Sequence, residues 1–220
     1  MRCCAVPCRI DRCGGEGYPY LMKRFYYVFS IVLVALVPSE APATIMVKMD
    51  LPKLVGRSDV IFVGRAIRSH SHWTKDRRHI VTDTTFQVEK SVKGKQPKTI
   101  TIRHLGGSVG GIGMRVSGMP VFRKGDVALL FTELRRSHRY VVGMKQGIFR
   151  IEKNTAGRRV VRTDLQGLTL AERSPKGRLQ VLGPNNGATT AKPRLLGDFI
   201  QQIQKTVTLC AKESKRCLAD

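Results

Sequence analysis

The sequence predicts a small, mainly β domain: an antiparallel barrel or sandwich, preceded by a short helix and closed by a longer C-terminal one. Three observations point there. Between residues 59 and 162 the apolar residues fall in short runs, some continuous and some alternating with polar ones. Stretches carrying Gly, Pro and Asn separate these runs at hairpin spacing, with no helical periodicity between them. Only near the C-terminus do apolar residues recur at three- and four-residue steps.

Each element follows in order. Asp50 is placed to cap a short helix in which Pro52 is tolerated and Leu51, Leu54 and Val55 face inward, with Gly56 ending it. Residues 59–67 (DVIFVGRAI) are nearly continuous in apolar and β-branched side chains, as in a central strand buried on both faces, and Gly64 permits a bend. Residues 80–92 set Ile80, Thr82, Thr84, Phe86, Val88 and Val92 on one face and Asp83, Thr85, Gln87 and Glu89 on the other. A turn over 93–97 leads into 99–103, where Ile100 and Ile102 alternate with Thr99, Thr101 and Arg103. Residues 127–134 and 140–144 make two more strands around the polar tip 135–139. A short strand over 148–151 follows Gly147, and 158–162 pairs back across 154–157. Residues 174–192, rich in Pro, Gly, Asn and Thr, read as a linker. Leu195, Leu196, Phe199, Ile200, Ile203 and Val207 then form one face of a final helix that packs on the sheet. The predicted organisation is thus a β domain over 44–173, a linker over 174–192, and a helix with its tail over 193–220.

The N-terminal region reads as something other than this domain. Lys23 and Arg24 form a basic start, residues 25–37 an apolar segment, and Ala41-Pro42-Ala43 a small-residue cleavage site. Residues 22–43 are therefore expected to be a signal peptide cleaved after Ala43, sending the product to the periplasm or the medium. The apolar segment falls short of the roughly 20 residues that a membrane-spanning helix needs, which argues against the alternative of a retained anchor. Residues 1–21 precede that signal and carry Cys3, Cys4, Cys8 and Cys13. Their irregular spacing does not close a zinc tetrahedron, and a non-native upstream extension is the simpler reading. Two cysteines remain in the expected mature chain, Cys210 and Cys217, and an exported chain makes a disulfide between them the default. On an unbroken helix they would stand about 10.5 Å apart along the axis, beyond the roughly 7 Å between Cα atoms that a bridge tolerates. The helix must therefore end near Cys210 and the chain turn back.

Charge bounds the partners. The chain has 39 Lys and Arg against 16 Asp and Glu, a formal net charge of +23. Removing residues 1–43 takes away five basic and three acidic side chains and leaves 34 minus 13, or +21. Such an excess favours polyanions, an acidic envelope component or an acidic protein, unless it is only a solvated coat. The candidate contact residues are Lys75, Arg77, Arg78, Arg135 and Arg136, in two loops expected at neighbouring rims of the β domain. With five Tyr and one Trp, platforms for stacking bases are sparse. The glycine-rich stretch 105–120 (LGGSVGGIGMRVSGMP) lacks both G-K-[ST] before a helix and a βαβ context, so it reads as a strand crossing in which glycine permits positive φ. His70, His72 and Trp73 are expected in a loop between the first two strands. His70 and His72 with His79 or His104 would make a metal site, but no carboxylate or cysteine accompanies them at ligand spacing, and Arg77 and Arg78 would repel a cation. H-E-x-x-H and a cysteine nucleophile are absent from the sequence, and Asp83, Glu89, Asp126 and Glu133 are explicable as exposed strand positions. No catalytic set, metal or cofactor is expected.

The succession DVIFVGRA, TDTTFQVEKSVKG, TITIRHLGGSVGG, MPVFRKGDVALLF and YVVGMKQGIFRI resembles a widespread set of uncharacterised secreted bacterial proteins. Its opening pattern is similar to the OB-like barrel of tissue-inhibitor-of-metalloproteinase and netrin-like domains, over about residues 51–153. The resemblance implies a small OB-like antiparallel barrel. Those inhibitors use an N-terminal cysteine, which is missing near Thr44 here, so the barrel alone is carried over. The expected function is a non-catalytic exported binding module that meets an anionic partner through its rim loops. The alternatives are a single-stranded nucleic-acid-binding OB protein, an exported enzyme with dispersed residues, and a protease inhibitor.

Overall fold

A 14-residue strand, β2 (Val60–Trp73), organises the domain. The computed structural model describes residues 44–165, 168–174, 178–182, 192–213 and 217. The expected upstream extension and signal peptide lie outside the described residues, as do parts of the expected linker. Among the described residues no helix is long and apolar enough to cross a membrane.

Strand β1 (Thr44–Val47) is followed by helix α1 (Leu51–Arg57). Asp50 caps α1 by accepting from the Lys53 N–H at 2.9 Å, and Leu54 and Val55 are buried, as the sequence predicts. The helix runs one residue past Gly56, whose role is different: a Cβ there would collide with the Cys217 carbonyl. β2 pairs antiparallel with β3 (Ile80–Lys93) along its full length, from Ile61 opposite Lys93 to Trp73 opposite Ile80. His70, His72 and Trp73 therefore belong to the strand and not to a loop, because β3 supplies partners that keep β2 extended to Trp73. β3 pairs with β4 (Thr99–Leu105) across the predicted turn.

The glycine-rich stretch folds into a hairpin of its own, β5 (Gly107–Val109) and β6 (Ile112–Met114), turned by Gly110 and Gly111 at φ of 58° and 82°. β7 (Val127–Arg135) lies on the other side of β2, with Val60 opposite Thr132. β8 (His138–Val141) hairpins back onto β7 but stops before the predicted end at Met144. Gly143 and Met144 are left-handed, and Met144–Gly147 forms a 3-10 turn, after which β9 (Ile148–Lys153) resumes the same edge of β7. β10 (Arg159–Arg162) pairs back on β9 as predicted. Three further strands were not anticipated: β11 (Leu168–Arg173), β12 (Leu179–Val181) and β13 (Arg194–Leu195). β11 joins β1 and β12 in a separate three-stranded sheet, so part of the expected linker is strand, and β13 edges the large sheet. The last element is α2 (Leu196–Lys212).

The large sheet runs β13-β10-β9-β7-β2-β3-β4, with β8 also on β7. The domain is mainly β with two helices, as predicted. Among the described residues no sheet closes into a barrel: β4 and β8 come near one another, but no ladder joins them, and a cleft of about 340 Å³ lined by Thr101, Arg103, Ser137 and Arg139 opens between them. Along the first half of β2 and the middle of β7 the sheet buries both its faces. Phe62, Phe86, Ile100, Ile102, Phe122 and Leu130 fill its concave side. Ile61, Val63, Leu129 and Phe131 on the opposite face pack under Leu54 and Val55 of α1 and Phe199, Ile200 and Ile203 of α2. Cys210 and Cys217 form a disulfide with Cα atoms 5.7 Å apart, which the chain achieves by ending α2 at Lys212 and turning back.

Candidate functional site

The concave face changes character partway along β2. Through Ala66 the even-numbered residues Val60, Phe62 and Ala66 point into the apolar interior. A register shift between Ala66 and Arg68 then inserts one extra residue, and the odd-numbered residues take their place. Ser69 Oγ lies 3.0 Å from Thr84 Oγ1, and Ser71 Oγ 2.8 Å from Thr82 Oγ1. Opposite Thr82 stands His104 of β4, which continues the inward row of Ile100 and Ile102. Hydroxyls and an imidazole thus line the end of the concave face nearest the β2–β3 tip.

The β5–β6 hairpin covers them. Thr82 Oγ1 donates to the Gly106 carbonyl at 2.6 Å, and the Gly106 N–H donates to Ile80 at 2.8 Å. Gly107, at φ 139°, lies so close to Ser71 and Thr82 that a Cβ would strike both hydroxyls. Between hairpin and sheet is a cleft of about 930 Å³ lined by Ser69, Ser71, Thr82, His104, Arg115 and Phe122, among others. His104 is 8% exposed, and its ring meets Phe122 edge-on at 6.1 Å between centroids. Its Nδ1 lies 3.3 Å from the Leu105 carbonyl, which can only accept, so Nδ1 carries the proton and Nε2 a lone pair. Nε2 is buried without a hydrogen-bond partner. Such an orphan costs on the order of 1–3 kcal/mol. Burial pushes the His104 pKa below that of an ordinary histidine, against a smaller opposing effect of the Leu105 carbonyl and the Asp83 charge.

On the convex side the same strands carry a charged cluster. Arg103 grips Asp83 with two bonds of 2.7 and 2.6 Å, and His72 Nε2 lies 3.1 Å from the same carboxylate. Asp83 is therefore an ion-pair centre, half-buried, where the sequence suggested a simple exposed position. Arg103 first and His72 second hold its pKa below the usual carboxylate range. The His72 pKa is raised, first by the Trp73 carbonyl and then by Asp83. His70 stacks on His72 with ring centroids 5.8 Å apart, and His104 lies on the opposite face of the sheet. Among the described residues no group of three metal-ligating side chains is assembled.

The five cations singled out from the sequence do not come together. Lys75, Arg77 and Arg78 stand exposed at the β2–β3 tip, beyond Trp73 and Ile80. Arg135 and Arg136 stand at the β7–β8 tip, next to the start of β2, where Val60 pairs with Thr132. The length of β2 separates the two groups, roughly 40 Å along the strand at about 3.3 Å per residue. The expectation of neighbouring rims fails because β2 extends six residues past its predicted end. The tips also differ in charge: Arg135 is paired with Glu133 at 2.6 Å, whereas among the described residues no ion pair engages Lys75, Arg77 or Arg78. Asp76, the one acid at the β2–β3 tip, is held below its usual pKa by the Thr74 hydroxyl and the Arg78 N–H.

Ser69 and Ser71 were missed from the sequence, although Ser-x-Ser opposite Thr-x-Thr is a period-two signal for a polar strand face. The inserted residue at Ala66/Arg68 hid it by reversing which positions face inward. No protein-family model matches the chain, and no curated protein shows significant similarity to it.

Proposed function

We propose that the chain is an exported, non-catalytic binding module built on an OB-like curled sheet, and that it holds an anionic partner, a polyanion or an acidic envelope component or protein, at the β2–β3 tip. The observation that carries this reading is the uncompensated charge of that tip. Three cations and one acid within 75–78 leave +2 on four exposed residues, all within about one Debye length, roughly 8 Å at physiological salt. Several arginines elsewhere on the sheet are paired: Arg65 and Arg159 share Glu89, Arg139 meets Asp59, and Arg150 meets Asp126. The nearness of β4 and β8 supports an OB-like curl left open on one side. Export is supported by the leader-like segment 22–43 and by the Cys210–Cys217 disulfide, which suits an oxidising compartment. A nucleic-acid-binding OB face would need exposed aromatics for stacking, and the described phenylalanines, Phe62, Phe86, Phe122, Phe131, Phe149 and Phe199, are all buried.

The test compares the two tips. The triple change Lys75→Ser, Arg77→Ser and Arg78→Ser should weaken retention on heparin and flatten its salt dependence, while Arg135→Ser with Arg136→Ser should leave both nearly unchanged. Equal losses from the two variants would reduce the charge to a solvated coat.

A further inference from the structure

The cleft beneath the β5–β6 hairpin holds polar groups that the tip contact does not use. Thr82 donates its proton to the Gly106 carbonyl, so the bond between Ser71 and Thr82 must be donated by Ser71. What these hydroxyls have left is acceptor capacity. His104 has the same to offer, since Nδ1–H is given to Leu105 and the Nε2 lone pair is unmet. Arg115, exposed and without an ion pair among the described residues, stands on the same cleft. Acceptors on the floor require a ligand that donates, and a cation on the wall favours a ligand with negative charge. We propose that this cleft binds a small hydroxylated organic anion of the sugar-acid class, with ligand hydroxyls donating to Ser71 and His104 Nε2 and its carboxylate meeting Arg115.

At about 930 Å³ the cleft has the size of a small-molecule pocket. Nε2 is shielded from solvent, so binding requires the cleft to open around it. The cover is attached in a way that allows this. It is tied to the sheet at its base, through Gly106 and Gly107, whereas a side chain added at Gly110 or Gly111 of its tip would touch nothing.

The site does not depend on the polyanion reading, and one titration separates them. The full chain, labelled with ¹⁵N, is titrated with sodium glucuronate, glucose or acetate while the imidazole nitrogens are followed by NMR. Glucuronate should move the His104 Nε2 resonance saturably, glucose should need roughly tenfold more, and acetate, lacking hydroxyl donors, should not move it. Arg115→Ser, an exposed change, should remove the advantage of glucuronate over glucose. The tip variant lacking Lys75, Arg77 and Arg78 should respond to glucuronate as the unchanged chain does. A His104 Nε2 resonance that neither sugar moves, in protein whose amide spectrum shows it folded, would overturn the site. Glucuronate affinity unaltered by Arg115→Ser would overturn the sugar-acid assignment.

Discussion

Up to Ala66, strand β2 runs between two apolar cores, with Phe62 on the concave side and Ile61 and Val63 under the helices, whereas past Ala66 the same strand turns serines inward and histidines outward. The first half is fixed by burial on both faces. The second is fixed by hydrogen bonds and is covered on its concave side by a glycine-rich hairpin. One inserted residue divides the two, and with it the domain gains a polar recess without giving up its interior. Apolar packing secures the fold at one end while the other end is free to carry chemistry.

The largest test of this division is Phe62→Ala, which empties a fully buried aromatic site and should cost about 3–5 kcal/mol in urea unfolding. Ser69→Ala, beyond the bulge, should cost only on the order of 1 kcal/mol, and equal losses would show that the two halves share one core. On the helix-covered side, replacing Cys210 and Cys217 together by serine should lower stability by about 2–3 kcal/mol, read as a lower midpoint in guanidinium. Thr82→Val keeps the shape but leaves the Gly106 carbonyl without its donor, so about 1–3 kcal/mol should be lost and Thr82→Ser should recover most of it. Should Thr82→Val prove neutral, the hairpin is not tied down through Gly106.

The smallest effects are those of pH, and they separate the two faces of the polar half. The His104 pKa is lowered in the folded state, so below about 6.5 the unfolded chain takes up a proton that the folded chain refuses. Stability then falls with acidification, by at most about 1.4 kcal/mol per pH unit, until the lowered folded pKa is reached. His72 behaves oppositely: its raised pKa contributes stability that is complete below about 6.5 and disappears as the pH rises through the folded value. Melting temperatures between pH 5 and 8 should therefore lose their acid-side decline in His104→Phe and their gain on acidification in His72→Gln. Unchanged profiles in both variants would mean that neither imidazole titrates differently on folding.

Much of this architecture could be read from the residues because local patterns and tertiary packing agree. The capped turn at Asp50, the alternation of Thr82, Thr84 and Phe86, the hairpin across 154–157 and the apolar stripe Leu196, Phe199, Ile200 and Ile203 all sit where their periodicities place them. What stayed hidden depends on partners distant in the chain. β1 has too few residues to announce itself and exists by pairing with β11, more than a hundred positions away. His70 and His72 looked like loop residues because no apolar alternation marks a strand held together by hydroxyl pairs. The site was hardest to see: spacing offers His104 only as a metal ligand, and its place between the Leu105 carbonyl and Phe122 is not one that a linear spacing reveals.

Gly56 and the Cys217 carbonyl touch across most of the domain's length, and Cys210 Sγ lies 3.9 Å from the Pro52 carbonyl, 158 positions away. The first helix therefore cannot complete its packing until the last helix has been delivered. Closing so long a loop is paid for in chain entropy before any contact is gained, and contacts of this separation slow folding. For a polypeptide that emerges N-terminus first, the timing follows from the topology: the helix-covered core is assembled only once nearly the whole domain has emerged, and oxidation of the two cysteines then records that assembly in a covalent bond.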